Sequence, residues 1–176
     1  MNRFFFTITC ILFLFSCTEK TKPVSTVQIK RAPFSKIIFH TSSCFGCCSV
    51  YHLEVDSDKT FKLYAEKVYK KDAMLMSDTD SSLAGYYKGI VNDTTFNELT
   101  KQIQTIGIDT LDFGNSLCCD GSTITLIIYH DGKRKFLQSM TVPEPACKVT
   151  SPLFEICEKG KMEKTNKKFT IEYSDK

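Results

Sequence analysis

Nine of the 176 residues are cysteine, well above the usual share. Cys44 and Cys47 stand in a Cys-x-x-Cys pair with Cys48 directly behind them. A dithiol of that spacing does redox chemistry when its first cysteine sits at a helix N-terminus, where the dipole lowers the thiol pKa. The residues that follow do not read as a helix. Tyr51, Leu53 and Val55 alternate with His52, Glu54 and Asp56, the period of a half-buried strand. A structural staple is therefore favoured over redox catalysis. A zinc site needs a second ligand pair at knuckle spacing, and Cys118-Cys119 have no gap between them. His40, His52 and His130 are scattered, each on or beside an expected strand, and read as structural. His52 is expected on the solvent face, opposite Tyr51 and Leu53. Asp78-Thr79-Asp80-Ser81-Ser82 begins like a calcium loop, but Leu83 and Gly89 stand where the EF-hand loop needs Gly and Glu. Gly121-Ser122 lacks the flanks of a nucleophile elbow. Neither a catalytic constellation nor a cofactor site is read, and a non-enzymatic domain is expected.

The elements that position these residues are those of an α+β domain. Lys36 to His40 reads as a first strand, and the cysteine-rich turn follows it. The alternation over 51–55 and again at Phe61, Leu63 and Ala65, joined by Ser57-Asp58-Lys59, predicts an antiparallel hairpin. Tyr86 to Val91 is a further candidate strand. Thr95 with Glu98 forms a capping box ahead of the stripe Phe96, Leu99, Ile103 and Ile106, with Asp93 or Thr94 as alternative caps and Gly107 as the stop. Thr123–His130 and Lys133–Thr141, joined by Asp131-Gly132, predict a second hairpin. Pro143 and Pro145 are read as strand breakers, and Ser151-Pro152 as the opening of a short C-terminal helix through Glu158. Phe169, Ile171 and Tyr173 alternate in the lysine-rich end, which adds an edge strand or frays. The expected fold is an antiparallel sheet built from two hairpins, with one main amphipathic helix and a short C-terminal helix.

The N-terminus is an address. Met1-Asn2-Arg3 carries one fixed positive charge, and the twelve residues Phe4 to Phe15 are apolar apart from Thr7 and Thr9. A membrane span needs about 20 apolar residues. A run of this length is a signal-peptide core. Leu14-Phe15-Ser16-Cys17 then resembles a bacterial lipobox, with Phe15 bulkier than the usual occupant. The resemblance implies diacylglyceryl transfer to the Cys17 thiol, cleavage before it, acylation of its amine, and loss of Cys10 with the peptide. One acyl chain holds a protein marginally, at about 0.8 kcal/mol per buried methylene, whereas two or three make a stable anchor. Residues 1–16 are thus expected to be a lipoprotein signal peptide. Residues 17–34 become a lipidated tether spanning roughly 20–25 Å, 35–160 a single domain, and 161–176 a lysine-rich tail or edge strand.

The run Cys44-Phe45-Gly46-x-Cys48-x-Val50-Tyr51 between two strands resembles the signature of a bacterial exported domain, the domain-of-unknown-function family 6438. Ser49 replaces the family's usual Pro, Lys59 its usual turn Gly, and Cys47 is an added thiol; Asp120 matches its later Asp. The family has no established activity. The resemblance implies that Cys44 and Cys48 are oxidised together, closing a short loop that aims Tyr51 into the core. Disulfides persist outside the cytoplasm, so the remaining cysteines are disulfide candidates too. Cys147 and Cys157, ten apart around Pro152, could tie the last helix to its loop, and Cys118 or Cys119 could reach Cys47. Seven mature cysteines is an odd number and leaves at least one thiol over.

Twenty-three basic and 20 acidic residues give +3, too slight a charge for nucleic-acid binding, and no nucleic-acid partner is expected. The expected protein is lipid-anchored through Cys17 to a membrane of the cell envelope, on the periplasmic face. Its disulfide-stabilised domain binds an envelope protein or small ligand through its sheet or its irregular segment 67–85. The alternative is a thiol-active envelope protein, redox or metal-handling, that uses an unpaired cysteine such as Cys47.

Overall fold

Runs of β-branched and aromatic residues lay down seven strands in the computed structural model, which describes residues 31–114 and 120–173. The strands are β1 (Lys36–Thr41), β2 (Val50–Asp56), β3 (Thr60–Lys67), β4 (Gly85–Ile90), β5 (Ile124–His130), β6 (Lys133–Ser139) and β7 (Met162–Thr165). They form one antiparallel sheet in the order β6-β5-β1-β2-β3-β4-β7. The two expected hairpins are β2–β3 and β5–β6. Their turns need positive φ. Asp131 and Gly132 supply it at 47° and 73°, the pattern of a type I′ turn. Lys59 adopts φ 74°, a left-handed conformation that glycine takes most readily.

Alternation gives the sheet two faces. Ile37, Phe39, Leu53, Val55, Leu63, Leu126 and Ile128 point to one side, all fully buried, and two helices cover them. Helix α1 (Asp93–Ile106) has Asn92 as its N-cap, not Thr95: the Asn92 side-chain oxygen accepts from Thr95 N at 2.9 Å. Gly107 ends it as expected, with φ 81° and its N–H donated to the Ile103 carbonyl. Helix α2 (Glu144–Lys159) corrects the expected short helix. It runs 16 residues, with Pro143 as N-cap residue and Pro145 in the first turn. These prolines open a helix that needs no N–H there. Pro152 lies inside the helix, tolerated because the stripe Ala146, Val149, Leu153 and Ile156 is buried. Phe34, read as the end of the tether, belongs to the core, with its ring 6.0 Å edge-on to Phe96.

β7 is the edge strand, paired with β4, and its approach requires Gly89. A Cβ there would stand 2.4 Å from the Lys161 carbonyl oxygen and 2.6 Å from the Phe61 ring. The alternating residues beyond β7 make neither a strand nor a frayed end. They form a strap across the second face of the sheet. Phe169 meets Tyr86 edge-on at 5.0 Å, Ile171 packs on Ile38 and Ile127, and Glu172 reaches Arg134 Nε at 2.8 Å and the Tyr129 hydroxyl. The Tyr129 hydrogen bond, aided by the Arg134 guanidinium against burial, holds the Glu172 carboxyl below the usual range. Ile38 and Ile127 are fully buried, with Ile171 of the strap packed on them beside Tyr129 and Phe136. Ile171→Ala is therefore expected to destabilise the domain by about 2 kcal/mol in denaturant unfolding. A change under a few tenths would mean that the strap is not docked.

Candidate functional site

Seven strands at about 4.8 Å spacing make a sheet nearly 30 Å wide, and two helices of about 10 Å diameter do not span it. The strip left over lies beyond α2, above β3 and β4, and residues 68–84 roof it. A cavity of about 780 Å³ remains beneath. Its floor is the apolar Leu63, Ala65 and Tyr87, its near wall the end of α2 at Cys157, and its mouth Cys47, Lys70 and Lys71. The roof is built rather than slack. Tyr69 and Thr79 form a bridge, and Asp78 Oδ2 accepts from Met74 N at 3.1 Å and Leu75 N at 3.0 Å. Asp80 turns on Ser82 in the same way, so the aspartates of the calcium-like run serve local turns.

Two groups in the cavity wall, Tyr51 and Cys157, are held in their neutral forms. Burial, opposed in part by the Ser49 hydroxyl, pushes the Tyr51 phenol up, and burial holds the Cys157 thiol well above its ordinary value. A buried, protonated thiol is a poor nucleophile. The walls thus combine apolar surface with charged groups, among them Lys70, Lys71, Asp72, Asp80, Glu158 and Lys159.

The cysteines divide. Cys44 and Cys48 are joined, with Cα atoms 5.5 Å apart. Closing so short a loop contributes about 2 kcal/mol on chain-entropy grounds. Cys44→Ala/Cys48→Ala is expected to lower the unfolding free energy by that amount, with an unchanged urea midpoint as the opposing result. Cys147 and Cys157 do not pair. Both carry free thiols on α2, ten residues and about 15 Å of helical rise apart, beyond disulfide reach. Cys47 is also free among the described residues; the expected partners Cys118 and Cys119 lie outside them. The Cys47 thiol donates to the Leu75 carbonyl oxygen at 3.4 Å. Cys10, Cys17, Cys118 and Cys119 lie outside the described residues.

The histidines are not scattered. Register places His40 opposite His52, His52 opposite Tyr64, and Tyr64 opposite Tyr86, one rung across four strands of the second face. His40 Nε2 donates to the Glu172 carbonyl oxygen at 2.6 Å, the two Nδ1 atoms are 2.8 Å apart, and His52 Nε2 is 3.0 Å from Glu66 Oε2. Tyr173 lies against both imidazoles. Burial is the main force that lowers the His40 pKa to about 4. His52, expected to face solvent, is half-buried under the strap. His130 is buried at the end of β5, with Nδ1 3.7 Å from Asp131. Sequence spacing gave no sign of the His40–His52 contact, because it depends on the register of two strands.

A model of the domain of unknown function DUF6438 matches residues 35–157. The chain belongs to this family. None of the curated proteins matches the chain. The DUF6438 match takes in the disulfide loop, α1, the roof of the cavity and α2 as far as Cys157, and stops short of β7 and the strap. Among the described residues no helix is long and apolar enough to cross a membrane. Among them, too, no three His, Cys, Asp or Glu side chains are grouped to hold a metal.

Proposed function

We propose that the chain is a lipid-anchored protein of the bacterial cell envelope, whose DUF6438 domain is a non-catalytic binding module. The observation that carries the anchoring is Leu14-Phe15-Ser16-Cys17 at the end of a twelve-residue apolar run, followed at once by polar Thr18-Glu19-Lys20. The Cys44–Cys48 disulfide supports it, since such bonds persist outside the cytoplasm. The binding role rests on the half-open cavity under residues 68–84, large enough for a small ligand and covered on one side by a self-supporting roof. The ligand-side alternative, a partner protein of the envelope, would meet the same mouth. Cys17→Ala is expected to move the protein from the membrane fraction to the soluble fraction and to abolish incorporation of a labelled fatty acid. Membrane association and label both retained by the variant would refute the anchor.

The thiol-active reading is favoured by one observation, the free thiol of Cys47 at the cavity mouth beside an oxidised pair.

A further inference from the structure

Residues 166–173 cross the second face of the sheet from beyond the region that the DUF6438 model matches. Both helices pack on the other face. The strap is held by side chains and a backbone carbonyl, not by a β ladder. Phe169 rests on Tyr86, Ile171 on Ile38 and Ile127, and the Glu172 carboxylate on Arg134 and Tyr129. The last hold is on His40. Its Nε2 donates to the Glu172 carbonyl oxygen at 2.6 Å, and Tyr173 meets the same ring edge-on at 4.6 Å. His40 is buried at this point, with His52 of β2 at 2.8 Å and Thr125 of β5 opposite it in register. Glu66 and Lys67 of β3 line a neighbouring cavity of about 500 Å³ together with His52 and Tyr173. A proton added to His40 therefore places a charge in a buried site beside His52, under the strap.

We propose that residues 166–173 are an acid-released strap: a proton taken up by His40 frees them from the second face while the helices and the first-face core stay in place. A segment held by a few side chains opens at lower cost than the whole domain. With the strap docked, burial outweighs the help of the Glu172 carbonyl and sets the His40 pKa at about 4. With the strap lifted, the ring reaches water and titrates near 6.5. Between those values the released form binds more protons than the docked form, so falling pH favours release. Glu172 acts in the same direction. Tyr129 and Arg134 hold its docked carboxyl below the usual range, and that hold is lost as the carboxyl protonates. Release leaves Ile38 and Ile127, at the centre of the sheet, without Ile171. The device depends neither on the binding role proposed above nor on acylation of Cys17.

The test compares two buried thiols in one molecule. Ile171→Cys puts a thiol under the strap, and Cys157, buried in the first-face core, reports global unfolding. The full chain is treated with dithiodipyridine, which labels thiols in acid as well as at neutral pH, and each site is followed by peptide mass. Rates are taken relative to a free peptide of the strap carrying the same substitution, which removes the reagent's own pH dependence. Relative labelling at position 171 is expected to rise about 100-fold from pH 6.5 to 4, while Cys157 stays protected. With His40→Gln added, the rise is expected to fall below about tenfold, the remainder coming from Glu172. Phe169→Cys gives a second probe position if the first substitution opens the strap already at pH 6.5. Labelling of both thiols in step would show that the strap leaves only when the domain unfolds, and would overturn the proposal. So would a position 171 equally protected at both pH values, or a rise that His40→Gln leaves unchanged.

Discussion

Phe39→Ala is expected to cost the domain about 3–5 kcal/mol. Phe39 stands in the middle of β1, the third strand of seven, and is fully buried. Leu53 flanks it from β2 and Leu126 from β5, in register, and Phe154 of α2 meets its ring edge-on at 4.9 Å. Truncation removes the contact that ties the sheet to α2 and leaves a cavity whose walls are strands held on both sides. Such walls collapse poorly, which places the cost toward the top of the usual range. A domain of this size is stable by roughly 5–15 kcal/mol, so the variant retains the fold with a small margin or loses it. Guanidinium unfolding of the two proteins measures the difference. A loss under 1 kcal/mol would show that β1 is not the centre of the core.

Acidification from pH 6.5 to 4 is expected to remove about 3 kcal/mol of stability through His40 alone. Burial is the first cause of its low pKa of about 4, and the charge of His52 adds to it, while the Glu172 carbonyl and carboxylate oppose it. In the unfolded chain the same imidazole titrates near 6.5. Between those values the folded state binds fewer protons than the unfolded state, so stability rises with pH across the window and is lost as pH falls through it. The groups around the ring explain the cost. Its Nε2–H is already given to the Glu172 carbonyl, and its Nδ1 faces His52 Nδ1 at 2.8 Å, so a second proton on His40 puts a charge into a buried site beside His52. Thr125 from β5 and Tyr173 from the strap close the remaining sides, and Glu66 stands beyond His52. His40→Gln removes the titration. Unfolding free energies at pH 4 and 6.5 are expected to differ by about 3 kcal/mol more in the unmodified chain than in the variant. Parallel pH profiles would contradict the buried neutral imidazole.

What the sequence disclosed is what local chemistry decides. Asp131-Gly132 named its turn, the alternations at 51–55 and 61–65 named their hairpin, and the stripe Phe96, Leu99, Ile103 named its helix. Proline was the ambiguous letter. Pro143, Pro145 and Pro152 each stop a strand or start a helix on local grounds. Packing chooses between these roles, through Ala146, Val149, Leu153 and Ile156 on one buried stripe. That stripe was present in the sequence and marks the earlier start. The strap escaped because Phe169, Ile171 and Tyr173 alternate like a strand yet find side chains instead of a backbone partner. The cavity escaped for a different reason. It is the space that two helices leave on a seven-stranded sheet, and no short run of residues encodes a vacancy. The Cys147–Cys157 pairing failed with the helix, since a bond that suits a loop cannot span almost three turns of α2.

The proposed placement of this oxidised domain at a membrane comes down to the chemical state of one sulfur atom. The intact mass and N-terminal sequence of the protein extracted from membranes read that state directly. The account predicts a chain that begins at Cys17, carries the added mass of a diacylglyceryl group and an amide-linked acyl chain, and holds Cys44 and Cys48 beyond the reach of alkylation until reduced. A chain recovered from the aqueous cytosolic fraction with Met1 in place, and with both of those cysteines open to alkylation, would contradict it.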